Sequence, residues 1–196
     1  MRPLAFVGGP LSIRQVADRR DGAVRALERA GRPVADMHVI ETPALNVSAG
    51  QRAGAAIAEI TADARPTAVF CANDLLALGV LQEMTNHRIR VPEGIAIVGY
   101  DDVDFASAAA VPLSSVRQPR HQLGRAAAQL LIEEALGSGA HRHRQVVFEP
   151  DLVVRKSSRG RPRRPRRPAV AAKVSSADAT RTQGSPTDPS PAQAAG

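Results

Sequence analysis

Short apolar runs alternate along this chain with stretches of helical period, and that alternation limits the fold more than any other feature. Leu4-Ala5-Phe6-Val7 is an apolar run stopped by Gly8-Gly9-Pro10, and Met37 to Ile40, Thr67 to Cys71 and Ile95 to Val98 are further runs of strand length. Between them, Ser12 reads as the cap of a helix carrying Val16, Ala23, Leu27 and Ala30 and closed by Gly31. Gln51 to Ala64 reads as the next helix, and Asn73 or Asp74 caps a third that carries Leu75, Leu78, Leu81 and Gln82. Strands alternating with helices over short connections predict an α/β fold, a mainly parallel sheet flanked by helices.

Beyond Gly99-Tyr100-Asp101-Asp102 the signal thins. Ser115-Val116-Arg117 is a short extended piece, and Leu123, Ala127, Leu130, Leu131 and Ala135 form a helical stripe before Gly137. Val146 to Phe148 and Leu152 to Val154 are the last strand-like runs. The remainder is rich in Arg, Pro, Ala, Ser and Thr without apolar periodicity, so the expected division is a folded part over 1–157 and a disordered basic tail over 158–196.

The net charge of +7 belongs to that tail. Met1 to Val154 holds 16 Lys and Arg against 17 Asp and Glu, whereas Arg155 to Gly196 holds 10 against 2. A nucleic-acid argument from overall charge therefore applies to the tail alone. No stretch approaches the roughly 20 apolar residues of a membrane span, and the start does not open as a signal peptide. Cys71 is the single cysteine, which leaves no disulfide framework and no cysteine-based zinc site. The expectation is a cytoplasmic protein without a metal or cofactor.

In a parallel α/β sheet, ligands meet the carboxyl ends of the strands. Arg19 lies in the helix after the first strand, Asn73 and Asp74 follow the Thr67–Cys71 strand, and Asp101 and Asp102 follow the Ile95–Val98 strand. A guanidinium, a carboxamide and one or two carboxylates at one edge suit a polyhydroxylated or otherwise polar small molecule. Each group has a plainer reading. Asn73-Asp74 is an ordinary helix cap, Arg19-Arg20-Asp21 a charged helix face, and Asp101-Asp102-Val103-Asp104 a solvated loop. His141-Arg142-His143 has the spacing of a metal pair but sits beside Gly and Ser as solvated residues do. The aspartates lack the proton-transfer partner of an enzyme, so no residue is assigned a catalytic role.

Four longer phrases are more specific. They are Phe6-Val7-Gly8-Gly9-Pro10 with Arg19 three residues before Gly22; Pro66 through Gly79, with Cys71-Ala72-Asn73-Asp74 at its centre; Val91-Pro92-Glu93-Gly94-Ile95 through Asp102; and Pro112 through Pro119 followed by Leu123-Gly124. In this order and spacing they resemble the LacI/GalR family of bacterial transcriptional regulators over about Leu4 to Ser157. That family joins a helix-turn-helix head to a two-lobed core similar to periplasmic sugar-binding proteins, and an effector between the lobes changes operator affinity.

The resemblance implies a periplasmic-binding-protein-like lobe, with Arg19, Asn73 and Asp101 as effector contacts. The family's aromatic stacking position falls on Leu45, and Arg120 lies where members line the cleft. It also implies a sugar-like small-molecule effector, a homodimer and, in the full-length context, DNA. The chain opens almost on a core strand, so the expectation is a headless chain carrying nearly all of the second lobe. The Pro119–Leu136 helix would then be left exposed or paired with another chain. A stand-alone sugar-binding protein, or a remnant without transcriptional activity, is the alternative. In the tail, Arg159, Arg161, Arg163, Arg164, Arg166 and Arg167 surround an Arg-Gly-Arg-Pro core similar to an AT-hook. They read either as weak DNA contacts or as a solvated extension.

Overall fold

A computed structural model describes residues 3–136 and 144–159. Six strands form one sheet in the order β2-β1-β3-β4-β5-β6: β1 Leu4–Gly8, β2 Met37–Glu41, β3 Ala68–Cys71, β4 Ala96–Tyr100, β5 Ser114–Arg117 and β6 Asp151–Val153. The first five are parallel and β6 closes the edge antiparallel to β5. The helices are α1 Arg14–Arg29, α2 Val47–Glu59, α3 Asp74–Asn86, α4 Asp104–Ala108 and α5 Arg120–Leu136. The expected α/β lobe with a mainly parallel sheet is therefore present.

The register assigns side chains to the two faces. Ala5, Val69 and Ile97 are paired neighbours on one face and are buried beneath α2 and α3. Phe6, Phe70 and Val98 share the opposite face, where α1 lies, and the Phe6 and Phe70 rings meet edge-on at 5.6 Å. The core is aliphatic, built on Val7, Ile57, Leu76, Val80, Met84, Ile95 and Leu113 together with Phe6. At the contact between α2 and α3 the backbones themselves nearly touch. A Cβ placed on Gly50 would lie 2.4 Å from the Leu76 carbonyl oxygen, and one on Gly79 would lie 2.2 Å from that of Val47.

Local readings are corrected in four places. Ser12 does not cap α1: the Ile13 N–H bonds to Pro10 O at 3.0 Å, and that turn puts Ile13 in the cap position. Helix α2 starts four residues before the expected Gln51, because Asn46 caps it by accepting from the Ala49 N–H at 2.9 Å. In α3 the buried side is Leu76, Ala77, Val80, Leu81 and Met84, while Leu75 is 37% exposed, since packing at Gly79 sets the helix's rotation. Val146 to Phe148 forms no strand.

Ser157 anchors the segment after β6 to the sheet. It is fully buried, its Oγ accepts from the Ser114 N–H at 2.7 Å and donates to Ile97 O at 2.6 Å, and its N–H donates to Pro112 O. Ser158 Oγ also lies 2.7 Å from Ser114 Oγ. His141, His143, Arg161, Arg163, Arg164, Arg166 and Arg167 lie outside the described residues. Among the described residues no helix is long and apolar enough to cross a membrane.

Candidate functional site

The carboxyl ends of β1, β3, β4 and β5 make a rim where several polar groups meet. From α1, which starts at this rim, the Arg19 guanidinium hydrogen-bonds Ala72 O just after β3 and lies 3.4 Å from Asp101 Oδ1. Its carbon sits 3.8 Å from the centroid of the Tyr100 ring, so one face of the guanidinium is stacked. Only 13% of the Arg19 side chain is exposed. Cation–π stacking and two hydrogen bonds hold it in one orientation before any ligand arrives.

Asp101 is the rim carboxylate. Its Oδ1 accepts from Gln118 Nε2 at 3.1 Å as well as from Arg19, and among the described residues Oδ2 has no hydrogen-bond partner. The backbone presents it at φ 99°, in left-handed space that side-chain-bearing residues rarely enter, and Asp102 follows at φ 49°. Three bonds hold that turn. The Asp101 N–H donates to Val116 O, the Asp102 N–H to Ser115 Oγ at 3.0 Å, and the Val103 N–H to Asp74 Oδ2 at 3.0 Å.

The two adjacent aspartates do different work. Asp102 is turned inward, 6% exposed, and accepts from Arg155 at 2.6 Å and from Arg117 at 2.7 Å. Burial by itself would raise its pKa, but the hydrogen bonds and charges of Arg155 and Arg117 outweigh that and hold the carboxyl below the ordinary carboxylate range. Asp102 thus fastens the end of β4 to β5 and to the segment after β6. Asp74 lies beneath the turn and accepts from Ser115 Oγ at 2.7 Å. Burial pushes its pKa up; bonds from Ser115 and Val103 pull it down, and the charges of Asp101 and Asp102 add to the rise. Gly99 makes room for it, since a Cβ there would stand 2.1 Å from Asp74 Oδ1.

Asn73 is the N-cap of α3: its Oδ1 accepts from the Leu76 N–H at 2.9 Å, and its Nδ2 donates to Leu45 O at 3.0 Å. The plainer reading of this residue is thus realised, and the cap bond also ties in the loop that carries Leu45. Leu45 is half-buried over Gly9, where a Cβ would come within 2.9 Å of its Cγ. Thr42 secures the same loop, with its hydroxyl 2.9 Å from Gly8 O and 2.8 Å from Ala44 O.

Arg19 and Asp101 are therefore in contact, and Asn73 joins Leu45 beside them. Arg120 stands apart: it is exposed at the start of α5, its N–H bonded to Gln118 O. Tyr100, Gln118 and Ser115 were not singled out from sequence. The one available signal for Tyr100 is that it is the chain's single tyrosine, placed at a strand end.

Nucleophilic chemistry has no support at this rim. The Cys71 thiol is fully buried, and burial together with the nearby Asp74 charge pushes its pKa well above the thiol range. Among the described residues no three His, Cys, Asp or Glu side chains are grouped to hold a metal ion. The rim presents donors and acceptors held in place by their neighbours.

A family model described as a periplasmic binding protein-like domain matches residues 1–158. The HTH-type transcriptional repressor CytR of Escherichia coli (strain K12) is 32% identical over 163 residues, 81% of this chain and 46% of the relative. A solved transcriptional regulator, CelR in complex with cellobiose, superposes with a TM-score of 0.73 at 32% identity, covering 80% of this chain and 47% of that one. A LacI-family regulatory protein from Chloroflexus aggregans gives a TM-score of 0.71 at 26% identity, over 80% and 55% of the two chains. The chain spans about half the length of the curated relatives it matches.

Proposed function

Since this chain belongs to the periplasmic binding protein-like domain family, in its LacI branch of transcriptional regulators, we propose that its rim binds a small polyhydroxylated effector and thereby sets the DNA affinity of a regulator. The Arg19–Asp101 pair carries the reading. It is an oriented guanidinium beside a carboxylate with an unengaged oxygen, and the two can bracket vicinal hydroxyls. Asn73 retains a second amide hydrogen beyond the one given to Leu45 O. Leu45 offers an aliphatic cover for a ligand face in place of an aromatic stack. Arg120 would reach the ligand from α5. The cellobiose held by the CelR relative supports a carbohydrate or a related metabolite.

Titration calorimetry against a panel of mono- and disaccharides, cellobiose first, tests this. Arg19→Ala and Asp101→Ala are each expected to weaken binding by at least about tenfold, the usual effect of losing a hydrogen bond to a charged group. Leu45→Ala should weaken it less. Binding that both polar substitutions leave unchanged would overturn the assignment. For the tail, the proposal is a sequence-independent contact with DNA through Arg159, Arg161, Arg163, Arg164, Arg166 and Arg167, supported by its charge alone. Gel-shift affinity should then fall steeply with added salt; salt-independent binding would refute it.

A further inference from the structure

Asn73 and Asp101 stand at the ends of different strands, and each is followed by an aspartate that turns inward, Asp74 after one and Asp102 after the other. The two inward carboxylates are held differently. Asp102 is satisfied by two guanidinium groups, those of Arg155 and Arg117. Asp74 is 1% exposed, and among the described residues no cation pairs with it; Oδ1 accepts from Ser115 Oγ and Oδ2 from the Val103 N–H. A buried carboxylate without a counter-ion weakens a fold, so cohesion of the sheet does not account for Asp74. Its partners all belong to the turn that presents Asp101.

We propose that Asp74 is a positioning residue for effector binding: with Ser115 it locks the Asp101 turn to the start of α3, so that Asp101 and Asn73 meet the effector at a fixed separation. This rests on the effector reading of those two residues given above. The turn is left-handed at two successive residues with side chains, φ 99° at Asp101 and 49° at Asp102. Such backbone persists only where its surroundings hold it. Of the three consecutive N–H groups there, that of Asp101 reaches Val116 O on β5. The other two lead to Asp74, Val103 directly and Asp102 through the Ser115 hydroxyl.

Ser115 is fully buried, and its hydroxyl is used in both directions: it donates to Asp74 Oδ1 and accepts from the Asp102 N–H. Gly99, its register partner on β4, has no room for a Cβ because the Asp74 carboxylate fills that space. On the other side, Asp74 directly follows Asn73, whose side chain is fixed by the Leu76 N–H and by Leu45 O. A continuous path of buried hydrogen bonds therefore runs from the Leu45 loop through Asn73 and Asp74 to the Asp101 turn. Groups held this way have little ordering left to do when a ligand arrives, which favours affinity.

Sugar-free crystal structures of the full chain carrying Asp74→Ala or Ser115→Ala, with cellobiose titrations of both, test this. Asp101 should leave its left-handed φ and its contacts with Arg19 and Gln118, and cellobiose affinity should fall at least about tenfold, as for a lost hydrogen bond to a charged group. Asp74→Asn should restore both, because its amide oxygen can accept from Val103 and its nitrogen can donate to Ser115 Oγ. Ser157→Ala is the control for mere loosening: it breaks a bridge between β4 and β5 toward their amino ends and should leave the turn and the affinity as in the parent. Asp101 unmoved in either alanine variant that folds, Asp74→Asn displaced as far as Asp74→Ala, or an equal loss in Ser157→Ala would each overturn the proposal. A parent chain that takes up no cellobiose counts against the effector reading alone, and the turn in the sugar-free structures then decides the positioning role.

Discussion

The two faces of the sheet are finished to different degrees. Under α2 and α3, Ala5, Val7, Val69, Cys71 and Ile97 are sealed, and the two helices approach until Gly50 and Gly79 leave no room for a methyl group. Under α1, the residues Leu4, Phe70, Val98, Tyr100 and Val116 are only half-buried, and a groove remains beside the helix. The first face supplies cohesion, since close-packed aliphatic interiors resist any change in volume. The second is less tightly covered, and the Arg19–Tyr100 stack lies at its rim end. Substitutions on the two faces should therefore have unequal consequences, and often opposite signs.

The largest effect is expected at Gly79. Leucine there must displace the α2 backbone, and the cost should exceed about 3 kcal/mol, at or beyond the upper end for overpacked cores. Gly79→Ala should also be clearly destabilising, although alanine is the better helix former. Urea denaturation would register this as a lowered midpoint. A midpoint unchanged by Gly79→Leu would mean that the sealed face is looser than its geometry.

Next in size is Asp102, which joins the sheet's far edge to the rest. Removing its charge leaves Arg155 largely buried without its partner, which costs about 2–3 kcal/mol once the half-exposed Arg117 is discounted. The pH dependence follows from the sign of the shift. The folded-state pKa of Asp102 lies below the unfolded value of about 3.9, so its contribution is complete above about pH 4 and is lost as the pH falls through the folded value. Asp74 acts in the other direction: its raised pKa means that the folded state takes up this proton first, so acidification through that range favours folding. Asp102→Asn should accordingly be less stable than the parent at pH 7 and lose less stability between pH 5 and pH 3. Parallel stability curves for the two proteins would show that Asp102 does not govern the acid limb.

What could be seen beforehand depended on how local the cause was. The alternation of strands and helices is a local pattern, and a named run falls on each of the six strands and on every long helix. Rotation and caps were less visible. Leu75 and Leu76 are equally apolar, and only the contact of Gly79 with a helix some thirty residues earlier buries one and exposes the other. Asp101 and Asp102 are the same residue type side by side, and what separates rim from anchor is Arg155, distant in sequence. Arg19 and Asp101 were legible because both follow strand ends, where a parallel sheet gathers its polar groups. Arg120 was harder to place, because it is exposed at the start of a helix that buries none of its residues.

Ser157 extends the same lesson to the sheet's edge and to an intermediate effect. It stands where the apolar pattern of the sequence stops, and its hydroxyl bridges β5 to β4 from a fully buried position. Ser157→Ala leaves a buried N–H and a carbonyl oxygen without that partner, and a cost of about 1–3 kcal/mol is expected. Chemical denaturation of the variant would show this directly; no change would mean that the segment after β6 is dispensable to the fold.

The smallest expected effect carries the opposite sign and isolates the open face. Gly22 is in the middle of α1, and a Cβ there meets only the tip of Arg25 at 4.0 Å. The helix gains from replacing glycine, because alanine has less backbone freedom to lose on folding. Gly22→Ala should stabilise the lobe by about 0.5–1 kcal/mol, where the same change at Gly79 destabilises it. Pairing the two substitutions separates propensity from packing, since intrinsic preference is identical and only the neighbouring atoms differ. Urea midpoints of the two variants check this; a Gly22→Ala midpoint below that of the parent would mean that α1 has less room at this position than its neighbouring atoms leave.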